Sequence, residues 1–142
     1  MLDRLPKRLR IELEPVLKDP LKFVQLLKIQ DKRSGKLVRF SPNTEQVALL
    51  RRLGKHDKVI ILKPRQIGIS TVLRAYALWR TYRTKDPLKF GVISFHERSA
   101  KHLRKMDSRM HNSLPDALRR NLEIDNSTTM EFAVTGAQLS SF

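Results

Sequence analysis

The stretch KVIILKPRQIGISTVLRAYALWRTYR, residues 58–83, limits the possible folds more than any other part of the chain. It begins with a short β-branched apolar run, 58–63, which reads as a strand buried on both faces. A glycine-containing loop follows, and then an apolar-periodic segment, 70–83, that reads as a helix. LKFGVISF (88–95) repeats the strand pattern and ERSAKHLRKMDSRM (97–110) the helical one. Strand, loop, helix, strand, helix is the order of an α/β fold. Its strands lie parallel, because a parallel pair needs a crossover that a helix supplies. With 142 residues the chain has room for one domain with a sizeable core.

The flanking segments fit around this unit. The stretch to about Pro20 is charged and punctuated by prolines, and reads as an arm or short helix. Residues 20–31 carry Leu21, Val24 and Leu27, and Phe23 and Leu26, at helical spacings, which predicts a short helix. KIQDKRSGKLVRF alternates around Ser34-Gly35, the pattern of a hairpin. In SPNTEQVALLRRLG (41–54), Asn43 can cap a helix with Gln46 three residues on, and Gly54 can stop it. After NLEID, NSTT reads as a turn and MEFAV as one more strand. The division expected is an N-terminal arm, helix and hairpin over 1–40, then a partial α/β domain over 41–142.

Charge says most about partners. Lys and Arg total 29 against 14 Asp and Glu, a net +15. The excess is even, 15 against 7 in residues 1–58 and 14 against 7 in residues 59–142, so the body of the protein is basic rather than a tail. A basic body implies a polyanionic partner, most simply a nucleic acid held through its phosphates. No apolar run approaches the ~20 residues of a membrane span, and the N-terminal residues hold no signal-peptide core. With no cysteine, disulfides and Cys-ligated zinc are excluded, which fits a reducing cytosol.

The loop in IILKPRQIGIST nearly matches a phosphate-binding loop, G-x-x-x-x-G-K-[ST] between a strand and a helix. Aligned on Gly68, Ser70 takes the hydroxyl position and Thr71 follows it, but Ile69 stands where the lysine belongs and Lys63 where the first glycine belongs. Such a site needs backbone N–H groups at a helix N-terminus, a hydroxyl for Mg²⁺ and a cation for the β- and γ-phosphates of ATP. Gly68 permits close backbone approach and Ser70 can face the metal. Lys63 can bring the cation from the strand end, with Arg65 as a second candidate. A strand, glycine turn and helix with no ligand remains the plain structural alternative.

Several segments together resemble the large terminase subunit of tailed bacteriophages, the motor ATPase that packages DNA into capsids. KLVRFSPNTEQVALL resembles the family's segment before its first ATPase strand, and LKPRQIGIST its loop variant R-Q-x-G-x-[ST], in which some members carry the lysine at the loop's start. FGVISFHERSAKHLRKM is similar to the next strand and helix, with Ser94 and His96 at the strand's C-terminal end, and NLEIDNSTTMEF to the hairpin beyond. The likeness spans about residues 20–142. It implies a P-loop NTPase-type parallel sheet flanked by helices, incomplete here, with an N-terminal helix and β-hairpin extension. It further implies ATP and Mg²⁺ as cofactors, held by Lys63, Gln66, Gly68, Ser70 and Thr71, with Gln46 reading adenine and Arg65 near the γ-phosphate. For Arg65, simple pairing with a nearby carboxylate stays open.

The partners implied are double-stranded DNA, a portal protein, a small terminase subunit and further copies of the chain in a ring. The place implied is the host cytoplasm, transiently at the procapsid portal. No apolar strand ending in Asp-Glu follows Phe95, and the nuclease carboxylates are missing, so a chain truncated before them is expected not to turn over ATP alone. The rival readings are a non-catalytic basic nucleic-acid-binding remnant and another helicase-type P-loop ATPase.

Other candidates are weaker. On the helix 97–110, Arg98, Lys101, Lys105 and Arg109 share one arc that could follow a DNA backbone or form a solvated face, beside an apolar face of Ala100, Leu103, Met106 and Met110. Tyr76, Trp79 and Tyr82 read as core rather than as a base-stacking platform. His56, His96, His102 and His111 lack metal-ligand spacing.

Overall fold

The computed structural model describes residues 6–56, 58–62 and 67–142. It is an α/β protein of five helices and two sheets among the described residues. In chain order these are α1 (Lys7–Lys18), α2 (Pro20–Val24), β1 (Lys28–Gln30), β2 (Leu37–Arg39) and α3 (Thr44–Leu53), then α4 (Ile69–Arg83), β3 (Lys89–Val92), α5 (Glu97–Asn112), β4 (Leu122–Asp125), β5 (Thr129–Phe132) and β6 (Gln138–Ser141).

Local chemistry accounts for the N-terminal elements. Asp19 caps α2 by accepting from the Leu21 N–H at 2.9 Å, with Pro20 at the first helical position. In the β1–β2 hairpin the Asp31 carboxylate accepts the N–H groups of Arg33 and Ser34 at 2.9 and 2.6 Å, and Gly35 supplies the positive φ of 68°. α3 carries the expected capping box: Asn43 accepts from the Gln46 N–H at 2.9 Å, and Gln46 accepts from the Asn43 N–H at 3.0 Å.

α4 is the centre of the molecule. It packs against α1, α2, α3, α5 and β6, and its Val72, Ala75, Leu78 and Tyr82 are almost fully buried. Tyr82 meets Phe23 from α2 at 5.4 Å and Phe132 from β5 at 5.6 Å between ring centroids. Burying each such side chain contributes roughly 1.5–3 kcal/mol. Tyr76, Trp79 and Tyr82 are core, as their spacing implied. Trp79 Nε1–H donates to the Leu17 carbonyl at 2.9 Å, so its polar tip is satisfied inside.

The main sheet runs β3-β6-β5-β4. It is mixed: β3 pairs parallel with β6, whereas β5 pairs antiparallel with both β6 and β4. The all-parallel sheet expected from the sequence is therefore present as one parallel pair. The strand expected over 58–63 is not formed across the described residues 58–62. A central strand needs a hydrogen-bonded neighbour on each side, and no strand among the described residues pairs with this run, whose Ile60 and Leu62 are exposed at 94% and 96%. Its sixth residue, Lys63, lies outside the described residues, as do Arg65 and Gln66.

α5 corrects a second expectation. Its inward face is Ala100, Arg104, Asp107, Met110 and His111, with Leu103 and Met106 only half-buried. Two charges are buried because each finds a partner on another element. Arg74 of α4 grips Asp107 through both carboxylate oxygens, and Arg104 pairs with Asp125 of β4 while donating to Ser108 Oγ at 2.6 Å. Burial pushes the Asp107 carboxyl above the ordinary aspartate range, against the pull of Arg74.

Candidate functional site

Gly68 lies at the junction of loop and helix, with φ 72° and ψ 23°, a left-handed conformation in which side chains are disfavoured. A Cβ built there would stand 2.5 Å from Gln46 Nε2. That contact exists because Gln46, only 5% exposed, holds the loop to α3: its Nε2 donates to the Gly68 carbonyl at 2.9 Å while its Oε1 serves the capping box. The residue expected to read adenine is thus engaged at both ends within the protein.

From Gly68 the chain enters α4. No side chain among the described residues caps this helix and no acidic residue occupies its first turn, so no described carboxylate of that turn offsets the partial positive charge of its N-terminus. Ile69 is 5% exposed and belongs to the core, which accounts for the absence of a lysine there: a lysine at this position would carry its charge inward. Ser70 is exposed and Thr71 half-buried.

Gly68, Ser70 and Thr71 form one wall of a cleft of about 540 Å³. The opposite wall comes from the start of α5, with Arg98, Ser99 and His102, and from Ser94 beyond the C-terminal end of β3. Lys32 of the hairpin loop closes a third side. The lining therefore combines two cations, a histidine, four hydroxyls and no carboxylate. Lys32, Arg98 and His102 have no ion-pair partner among the described residues. In open α/β sheets ligands occupy the crevice beyond the carboxyl ends of the strands, and this cleft lies in that position relative to β3. Such a lining suits a compact, multiply charged anion.

Of the predicted site residues, Gly68, Ser70 and Thr71 thus meet at one cleft and Gln46 supports it from behind. The α5 stripe does not act as one surface. Arg98 faces the cleft, Lys101 pairs with Glu97 at 2.6 Å, Lys105 is exposed, and Arg109 lines a neighbouring pocket beneath the hairpin. The Lys101 ammonium holds the Glu97 carboxyl below its ordinary range. Lys32 and His102 escaped sequence reading because they reach the cleft from a hairpin and a helix distant along the chain, with no shared motif. His96 is exposed at the N-cap of α5 and is not part of the lining.

Among the described residues no group of three or more His, Asp or Glu side chains is placed to hold a metal ion, and no helix is long and apolar enough to cross a membrane. Compared with models of known protein families and with curated proteins, the chain finds no match.

Proposed function

We propose that this chain is the ATP-binding portion of a terminase-type DNA-packaging motor. The observation that carries the reading is the carboxylate-free cleft at the N-terminus of α4, where a left-handed glycine, exposed hydroxyls and unpaired cations converge. The phosphates would lie against the first turn of α4, with Gly68 allowing the backbone to approach closely. Lys63, Arg65 and Gln66 would contribute from the loop. Lys32 and Arg98 would add charge from the facing wall, in place of the cation that the buried Ile69 cannot provide. The Ser70 hydroxyl would ligate Mg²⁺, which when bound neutralises charge on the β- and γ-phosphates. Gln46 would position the loop; reading adenine would require exchanging its bond to Gly68 for one to the base. In a full motor, ATP hydrolysis would drive double-stranded DNA through a portal into the procapsid, with small terminase subunits and a ring of further copies as partners, in the host cytoplasm.

A second reading, a non-catalytic nucleic-acid-binding protein, is favoured by the unpaired run at 58–62, which in a P-loop enzyme would be the central strand. Calorimetric titration with Mg²⁺-ATP separates the two. The motor reading expects wild type to bind, and both Lys63→Ala and Ser70→Ala to lose about tenfold or more, the scale of one charge-assisted hydrogen bond. Folded wild-type protein that binds no nucleotide would overturn it.

A further inference from the structure

A cleft of about 780 Å³ lies at the other end of α4, between its C-terminal half, the end of α3 and the α1–α2 junction. Five cations line it: Lys18, Arg51, Lys55, Arg80 and Arg83. The one carboxylate in the lining, Asp19, already accepts the Leu21 N–H as the cap of α2.

The charge of this cleft is largely uncompensated. Lys18 pairs with Glu14 at 2.7 Å, whereas Arg51, Lys55, Arg80 and Arg83 have no ion pair with a carboxylate among the described residues. The ends of α3 and α4 explain why basic residues are tolerated here, since a helix C-terminus favours cations. They do not neutralise the cleft. Two C-termini supply roughly half a negative charge each, against four full positive charges.

Two of the cations are also held in place. Arg83 lies over the Trp79 ring at 5.5 Å and donates to the Lys18 carbonyl at 3.4 Å. Arg80 donates to the Tyr76 hydroxyl at 3.3 Å. Each guanidinium is thus anchored through a ring or neutral oxygen and keeps its charge for a ligand, so less side-chain entropy is lost on contact.

We infer that this cleft binds the phosphodiester backbone of a nucleic acid. A cleft of this size, with four cations free of carboxylate partners among the described residues and two of those anchored, suits a run of phosphates, whereas the smaller cleft at the N-terminus of α4 suits a single compact anion. The inference rests on the nucleic-acid side of the proposed function and is independent of its nucleotide side, which Ser70→Ala reports.

The test measures binding of a short DNA duplex by the full chain across a salt series, with a single-stranded oligonucleotide of the same sequence as a second probe. Arg51→Gln/Lys55→Gln removes two exposed charges without touching the core. Arg98→Gln/Lys105→Gln removes two from α5. If two phosphates are contacted, the first variant flattens the log–log salt slope by about 2, since each phosphate contact contributes about 0.9 for duplex DNA. The loss should be equal for unrelated sequences, and the α5 variant should change the slope less. Selective loss by the cleft variant with either probe supports the assignment and identifies the form of backbone taken. Equal loss by both variants would mean that net charge alone acts, and no loss by the cleft variant would place binding elsewhere; either result overturns it.

Discussion

The two ends of α4 face cation-lined clefts that are built differently. At its N-terminus the helix is uncapped and faces hydroxyls and cations around a compact cleft. At its C-terminus it contributes Arg80 and Arg83 to a wider cleft lined by five cations. The first uses backbone dipoles and a left-handed glycine, so it depends on geometry. The second uses long side chains, so it depends mainly on charge. On the proposed reading, one helix carries two anion sites whose sensitivities to mutation and salt differ in kind.

The largest perturbation that would break this comparison is at the Arg74–Asp107 pair, which joins α4 to α5. Arg74→Ala leaves the buried Asp107 without its partner, and should cost about 3–5 kcal/mol in urea unfolding. Replacing both partners with apolar residues of similar volume should be near neutral or stabilising, and that contrast is the diagnostic. Next comes Gly68→Ala. Its positive φ and the 2.5 Å approach of Gln46 Nε2 predict about 1–3 kcal/mol of destabilisation. The same change should abolish anion binding at the N-terminal cleft while leaving duplex binding at the other.

Asn43→Ala removes one half of the capping box and should cost about 1 kcal/mol, which a denaturant midpoint at constant m-value will report. Because Gln46 links that box to Gly68, this variant should also weaken the N-terminal cleft more than the C-terminal one. The smallest effect is pH-dependent. Burial among Tyr82, Phe132 and the Arg120 carbonyl holds the His111 imidazole below its ordinary pKa of 6.5. The unfolded chain then binds the proton more readily, so stability is complete above about pH 6.5 and falls as the pH drops below it. Unfolding between about pH 7.5 and pH 5 should show this slope in wild type and a shallower one in His111→Gln.

Much of the fold was legible because its signals are local. The capping box of α3, the Ser34-Gly35 hairpin and the turn leading into β5 follow from residues a few positions apart. β6 was not legible: QLSS has little strand character, and Ser140 and Ser141 are buried only because β3 and β5 flank them. Arg104 and Asp107 belong by residue type on a solvated face, and are buried because partners arrive from other elements. The apolar run at 58–62 misleads in the opposite direction, since composition marks a strand but pairing makes one.

Of the candidate site, Gly68 and Ser70 were legible from their order in the loop, as was the role of Asn43 and Gln46 in starting α3. Lys32 and His102 were not, because only the packing of the hairpin and α5 against α4 brings them to the cleft. The basic excess predicted a polyanion partner but, being even along the chain, singled out no surface, and the α5 stripe read as either a DNA-tracking or a solvated face. The tertiary structure gathers five cations around the cleft at the C-terminal half of α4.

The most direct test of two distinct anion sites is one calorimetric series with Mg²⁺-ATP, comparing Lys32→Gln/Arg98→Gln with Arg51→Gln/Lys55→Gln. Both variants lower the net charge equally. The account predicts that the first loses nucleotide affinity by about tenfold or more, on the scale of a lost charge-assisted contact, while the second binds as wild type does. Equal losses in both would show that nucleotide responds only to overall charge, and would contradict the assignment of the N-terminal cleft.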